Sequence, residues 1–298
     1  MLYNNLSGFF RRKYGQRLKK ICIDGGFSCP NRDGKCGTGG CIFCSGRGSG
    51  DHITPSLPIS EQVKTALHGA KDGDKFIAYF QNFTNTYAPS EILKARYDSA
   101  LIDRRIVALA IGTRPDCIDE KIAELIASYK SRADVWVELG LQSASDEVGR
   151  IINRGYDRDV YGRAVKFLKQ YEIDFVTHMI IGLPSEGKAE ALETARYIAK
   201  SGASGIKIHS IYVSKGTRLE KMYLEKSYTP PALDEFVDSA VAVLCHLPSD
   251  MVVHRLTGDC PKDMLVAPLW NRDKNAILKE IKGKMDADGL YQGIYLND

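Results

Sequence analysis

The chain alternates near-continuous apolar runs with amphipathic stretches, and that alternation leaves few folds open to it. Lys75–Gln81 (KFIAYFQ), Ile106–Gly112 (IVALAIG), Val135–Leu141 (VWVELGL), Ile173–Ile181 (IDFVTHMII), Gly205–Val213 (GIKIHSIYV) and Met251–Leu256 read as strands, with Lys19–Asp24 (KKICID) ahead of them. Helical periodicity fills the gaps. Ile59–Lys71 follows Pro58 and takes Ser60 as its cap, Ser90–Leu101 opens on Ser-Glu, and Cys117–Tyr129 carries Ile118, Ile122, Leu125 and Ile126 on one side. Ser145–Asn153, Asp159–Tyr171, Lys188–Ser201, Leu219–Lys226, Pro231–Leu247 and a basic Asn271–Met285 complete the set. Strands that are apolar on both faces belong to parallel sheets covered by helices. No G-x-G-x-x-G follows the first strand. The expectation is therefore an α/β fold: a partial or near-complete (β/α) TIM-type barrel of parallel strands with a C-terminal helical extension. Its divisions are a basic N-terminal arm over 1–20, a barrel core over 21–260 and the extension over 261–298.

Residues with 44% hydrophobic and 26% charged side chains are ordinary for a globular protein with a sizeable core. No apolar run reaches about 18 residues, so no membrane partner is expected. The start, MLYNNLSGFFRRKYGQR, has no signal-peptide core, which places the expected location in the cytoplasm. The net charge of +4 is mild. Its distribution is more telling, because Arg11, Arg12, Lys13, Arg17, Lys19 and Lys20 fall together. Such a run is either a solvated face or a patch for phosphates.

In parallel barrels the chemistry lies at the C-terminal ends of the strands. Those ends carry Gln81-Asn82, Thr113-Arg114, Gln142-Ser143, Gly182 to Glu186 and His209-Ser210, and the first strand runs into CPNRDGKCGTGGCIFC, Cys29 to Cys44. This loop is too rich in Gly and polar residues to pack as core. Cys29, Cys41 and Cys44 are spaced C-x11-C-x2-C. In a reducing compartment close-set cysteines favour metal or cluster ligation over disulfides. Three thiolates satisfy three irons of a [4Fe-4S] cluster and leave the fourth open. With Cys36 the loop also holds four sulfurs, enough for a closed zinc site, so the loop alone leaves both readings standing. Cys22 is expected to point into the core, Cys117 and Cys245 to be helix thiols, and Cys260 has no assignment.

The segments GGFSCPNRDG, GGCIFCSGRGSGD, YFQNFTNTYAP, IGTRPDC, VELGLQS with NRGY, HMIIGLPSEG, GIKIHSIYVSKGT and HRLTGD run from residue 25 to residue 259. In wording and order they resemble the radical S-adenosylmethionine (radical SAM) enzymes, within them the bacterial branch related to the radical domain of Elongator's catalytic subunit, the YtqA/YhcC type. The resemblance implies cluster ligation by Cys29, Cys41 and Cys44, with Cys36 a loop residue and the open iron chelating S-adenosylmethionine. It implies that Phe43 lies against the adenine. HMIIGLPSE is similar to the adenine-binding element, giving Ile180, Gly182 and Glu186 as cofactor residues, with His178 in place of its first glycine. Glu138 and Gln142 fall where the methionine or ribose is contacted. Gln81 and Asn82 fall in the region of the methionine amino group, without that element's acidic residue. By alternation Glu138 faces the barrel interior, so it needs a partner: the cofactor, or a structural Lys or Arg. Lys207 and His209 share one side of their strand and are candidate substrate contacts. Arg114 and Arg154 are candidates for anion or carboxylate recognition.

The function so implied is hydrogen abstraction from an organic substrate, initiated by one-electron cleavage of S-adenosylmethionine. The branch points to the wobble uridine of tRNA. About 40 residues follow HRLTGD, too few for an acetyltransferase domain, so the expected reaction remodels an existing substituent, 5-carboxymethylaminomethyl to 5-aminomethyl. Expected partners are tRNA, held by the basic arm and by Lys274, Lys279, Lys282 and Lys284, and an electron donor such as flavodoxin or ferredoxin. A radical enzyme acting on a small metabolite and a non-enzymatic zinc or RNA-binding protein are the competing readings.

Overall fold

A computed structural model describes residues 2–48 and 57–296, so the end of the GGCIFCSGRGSGD segment lies outside the described residues. Seven strands, β1 (Lys19–Ile23), β2 (Phe76–Phe80), β3 (Ile106–Thr113), β4 (Asp134–Gln142), β5 (Asp174–Ile181), β6 (Gly205–Ser210) and, after the two-residue β7 (Val213–Ser214), β8 (Val252–Arg255), build one sheet. Its order is β1-β2-β3-β4-β5-β6-β8, and every neighbouring pair is parallel. The sheet curls into a half-barrel, with β1 and β8 as its two edges. The helices are α1 (Leu6–Tyr14), α2 (Ile59–Leu67), α3 (Ser90–Ala100), α4 (Glu120–Ser128), α5 (Asp146–Ile151), α6 (Arg158–Gln170), α7 (Lys188–Ser201), α8 (Arg218–Leu224), α9 (Leu233–Cys245) and α10 (Lys274–Ala287).

Alternation along the strands divides two cores. Ile21, Ile23, Phe80, Leu109, Ile111, Val137, Leu139, Met179, Ile206 and Ile208 face outward into the layer of helices. Ile77, Tyr79, Ala108, Ala110, Trp136 and Val176 face the lumen, where they meet Phe10 of α1. Helix α1 is thus a plug in the barrel's N-terminal end, and this corrects the expectation of a basic arm. Asn5 caps it through Gly8 N–H at 2.8 Å, and Gly15 closes it in the left-handed conformation. The cations on its polar face are partly spent on the protein: Arg12 donates to Asn4 Oδ1 at 2.6 Å, Lys13 pairs with Asp134 at 2.8 Å, and Lys19 at the start of β1 pairs with Asp74 at 2.8 Å.

The C-terminal residues are not a separate appendage. Ile277, Ile281 and Met285 of α10 belong to the main core. Gln292 accepts from Asn4 N–H at 2.8 Å and donates to the Met251 carbonyl at 2.9 Å, tying both ends of the chain together. A feature the sequence pattern did not announce is β9 (Leu265–Ala267), which pairs antiparallel with β7 beside the mouth of the barrel.

Candidate active site

The loop from Cys29 to Cys44 is folded by its own polar side chains. Asn31, buried, donates to the Asn153 carbonyl at 2.6 Å, and Asn153 in turn donates to the Gly40 carbonyl at 2.8 Å. Ile42 N–H bonds the Ile152 carbonyl at 3.0 Å. Arg32 reaches under the loop to the Ser45 carbonyl at 2.5 Å and lies 5.5 Å from the Phe83 ring centroid. The NRGY segment after α5 is therefore the loop's anchor. In it the Tyr156 ring sits between two guanidinium groups, Arg114 and Arg154, each 4.8 Å from the ring centroid.

Cys29, Cys41 and Cys44 all line one chamber of about 580 Å³ at the C-terminal mouth of the barrel. A hydrogen bond with Cys44 lowers the Cys41 thiol to about 7; burial opposes this, while Arg114, Asn31 and Arg154 assist. Asn31 Nδ2 lies 3.9 Å from Cys41 Sγ. Cys36 is exposed and turned away, in a separate groove with Cys117. Cys22 corrects the sequence expectation: Ile21 and Ile23 point outward into the helix layer, so Cys22 faces the chamber and is exposed. Among the described residues no three His, Cys, Asp or Glu side chains are grouped to hold a single metal ion, so the loop does not present a mononuclear zinc site.

Deeper in the chamber Glu138 of β4 is the centre of a polar cluster. It pairs with Lys207 of β6, accepts from Tyr79 Oη at 2.7 Å and from Trp136 Nε1 at 3.3 Å, and bonds His178 Nε2 at 3.0 Å. Burial pushes its pKa up, but the Lys207 charge and then His178 outweigh that and hold it well below the usual carboxylate range. Burial lowers Lys207 to about 7, against the pull of Glu138. His209 stacks on His178 at 5.3 Å between centroids, and its Nε2 has no hydrogen-bond partner. Burial keeps His209 neutral, its pKa far below the ordinary value. Of the two partners open to Glu138, the protein supplies the lysine.

The remaining expected residues divide. Phe43, Gln81, Gln142 and Ile180 gather with Cys44 and His209 around a side pocket of about 140 Å³ that shares walls with the chamber. Asn82, Gly182 and Glu186 line neither space. At Gly182, with φ +92°, a Cβ would meet Pro231 Cγ and Cδ at 2.7 Å and Ile211 Cγ2 at 2.8 Å, so this chain's own packing requires the glycine. Arg114 and Arg154 border the chamber, but their donors serve the fold. Arg114 forks onto Asp116 at 2.6 and 2.9 Å and donates to the Arg154 carbonyl at 2.9 Å. Arg154, 1% exposed, donates to the carbonyls of Leu141, Ser143 and Tyr156 and pairs with Asp146 at 3.0 Å. They position the loop, which leaves anion recognition to other cations. The sequence reading passed over Tyr79, Cys22 and Arg255 as chamber residues, though alternation in KFIAYFQ and KKICID places the first two on the inner face.

The sequence profile of the radical SAM superfamily matches residues 34–198, and that of the radical SAM C-terminal domain matches 203–287. The chain belongs to the radical SAM superfamily. It is 37% identical to the uncharacterized protein YtqA of Bacillus subtilis over 98% of this chain and 92% of YtqA, and 34% identical to YhcC of Escherichia coli over 97% and 94%. It is 25% identical to the tRNA uridine(34) acetyltransferase of Dehalococcoides mccartyi over 70% of this chain and 46% of that one. The fold matches that of the archaeal Methanocaldococcus infernus Elp3 with a TM-score of 0.70 at 19% identity, over 92% of this chain and 64% of that chain.

Radical SAM proteins use a [4Fe-4S] cluster and S-adenosylmethionine. The site fits both. Its donor set is three thiols and no fourth, on a loop pinned by Asn31 and Arg32 next to two fixed guanidinium charges. The orphaned Nε2 of His209 and the unpartnered Oε1 of Gln142 both belong to residues of the adjoining side pocket.

Proposed function

We propose that this radical SAM enzyme modifies the wobble uridine of tRNA, converting 5-carboxymethylaminomethyluridine to 5-aminomethyluridine. The observation that carries the reading is the similarity, across 70% of the chain, to a relative named for uridine 34 of tRNA. Cluster and S-adenosylmethionine together supply a 5′-deoxyadenosyl radical able to take hydrogen from an unactivated carbon. The hydrogen lost comes from the carboxymethyl carbon, where the neighbouring nitrogen stabilises the unpaired electron. Overall that carbon is oxidised by two electrons, water cleaves its bond to nitrogen, and two carbons leave as glyoxylate. S-adenosylmethionine accepts the two electrons and a proton, giving methionine and 5′-deoxyadenosine.

The residues of this chain have separate tasks in that reading. Cys29, Cys41 and Cys44 hold the cluster. Phe43, Gln81, Gln142 and Ile180 receive S-adenosylmethionine. Lys207 and His209, on the chamber wall, face the substrate. A flavodoxin or ferredoxin supplies the electron. Mass spectrometry of tRNA nucleosides from a strain lacking the protein tests this. Accumulation of 5-carboxymethylaminomethyluridine with loss of 5-aminomethyluridine is expected, and an unchanged nucleoside profile overturns it.

A further inference from the structure

The half-barrel does not close, and what lies in its gap is charged. Between the edge strands β1 and β8, α1 and α10 bound a groove of about 540 Å³. Arg17, Lys20, Arg255 and Lys274 line it, and no carboxylate does. Asp259 answers this charge from the chamber side, pairing with Arg255 at 3.4 Å and with Lys274. Four cations against one carboxylate leave the groove strongly positive. The groove is also continuous with the reaction chamber, because Lys20 and Arg255 line both. Lys20 is held at this junction over the Tyr79 ring, 5.3 Å from its centroid.

An enzyme that acts on a base within a strand brings the nucleotide into a pocket and leaves the flanking phosphates at the rim. The rim then needs cations that continue outward along the strand. Lys20 and Arg255 at the junction, with Arg17 and Lys274 beyond, have that arrangement. We propose that the gap between β1 and β8 seats the sugar-phosphate backbone of an RNA strand on either side of the nucleotide in the chamber. The proposal rests on the nucleotide-substrate reading above. It reassigns the RNA contact from the whole basic stretch of 11–20 to Arg17 and Lys20, joined by two cations distant in sequence.

The test measures binding of a fluorescent anticodon stem-loop RNA to the cluster-loaded protein by anisotropy across a series of KCl concentrations. Arg17→Gln and Lys274→Gln are each expected to weaken binding several-fold at low salt. Each should also flatten the slope of log K against log[KCl] by roughly 0.7–0.9, the loss of one phosphate contact. Lys274→Arg should keep the parental slope, as should Lys166→Gln on the far side of the barrel. Parental slopes in both glutamine variants, or an equal loss in Lys166→Gln, would overturn the groove. Because the RNA carries no modified uridine, its binding does not depend on the proposed reaction. Failure of the wobble reading shows instead in the nucleoside profile while groove binding persists.

Discussion

Lys207 and Glu138 form an ion pair inside the barrel, reaching across from β6 and β4 with side chains only 4% and 1% exposed. Neither strand touches the other, so the pair spans the lumen over β5 and fixes its width. His178 on the intervening strand joins the same carboxylate. Removing one partner strands the other charge in a low-dielectric interior. Lys207→Met is therefore expected to destabilise the apoprotein by roughly 3 kcal/mol or more. The double variant Lys207→Met/Glu138→Leu should recover much of the loss. Urea denaturation of the three variants decides it, and a single variant within experimental error of the parent would remove the pair from the account of stability.

Glu186 gives a pH signature separate from the cluster. Burial raises its carboxyl to about 8, with Ser143 the main opposing influence, and neither oxygen has a hydrogen-bond partner of ordinary geometry. A carboxyl with a higher pKa in the folded state binds more protons folded than unfolded. Its contribution is full below the unfolded value near 4.5 and is lost as pH rises through about 8. The protein should thus lose stability between those limits, and Glu186→Gln should reduce the loss. At pH 8.5 the variant is expected to be more stable by roughly 2 kcal/mol, discounted for partial exposure. Thermal melts at pH 5 and pH 8.5 compare the two; equal pH slopes for variant and parent would count against it.

The strands were legible because their Ile, Val and Leu runs face helices on one side and a filled lumen on the other, which leaves little room for polar positions. Helix α1 was missed although its caps are written in the sequence as Asn5 and Gly15. The run Arg11-Arg12-Lys13 dominates the local pattern, while the one fully buried ring, Phe10, gives no period by itself. The three cluster cysteines were legible from spacing and order. Arg154 was not, because its partners are backbone carbonyls at Leu141, Ser143 and Tyr156, and a carbonyl acceptor leaves no mark on residue type. Gly182 was legible as indispensable, but the reason lay in Pro231, far along the chain.

The division between Cys29, Cys41 and Cys44 and the other thiols has a direct readout. Serine at any of the three should abolish the cluster's visible absorbance and drop iron after anaerobic reconstitution from about four per chain to near none. Cys36→Ser should keep full iron, since Cys36 lies in another groove. Cys22→Ser should also keep it, although Cys22 lines the chamber. Iron lost with Cys36→Ser would restore a fourth ligand and with it the zinc-like reading of the loop.

At Gly182 the expected damage comes from the protein, with no cofactor needed. The residue sits at φ +92°, and a methyl group would overlap Pro231 at 2.7 Å and Ile211 at 2.8 Å. Both are parts of rigid surroundings, and Tyr228 fixes the local backbone by donating to the Gly182 carbonyl at 2.5 Å. Gly182→Ala should therefore cost about 2–4 kcal/mol, combining backbone strain with overpacking. Pro231→Ala made in the same chain removes the ring atoms nearest the new methyl, leaving the strain and the Ile211 contact. It should return about 1 kcal/mol. Denaturation of the apoprotein measures both steps. A Gly182→Ala apoprotein as stable as the parent, with only S-adenosylmethionine binding impaired, would return this glycine to the cofactor.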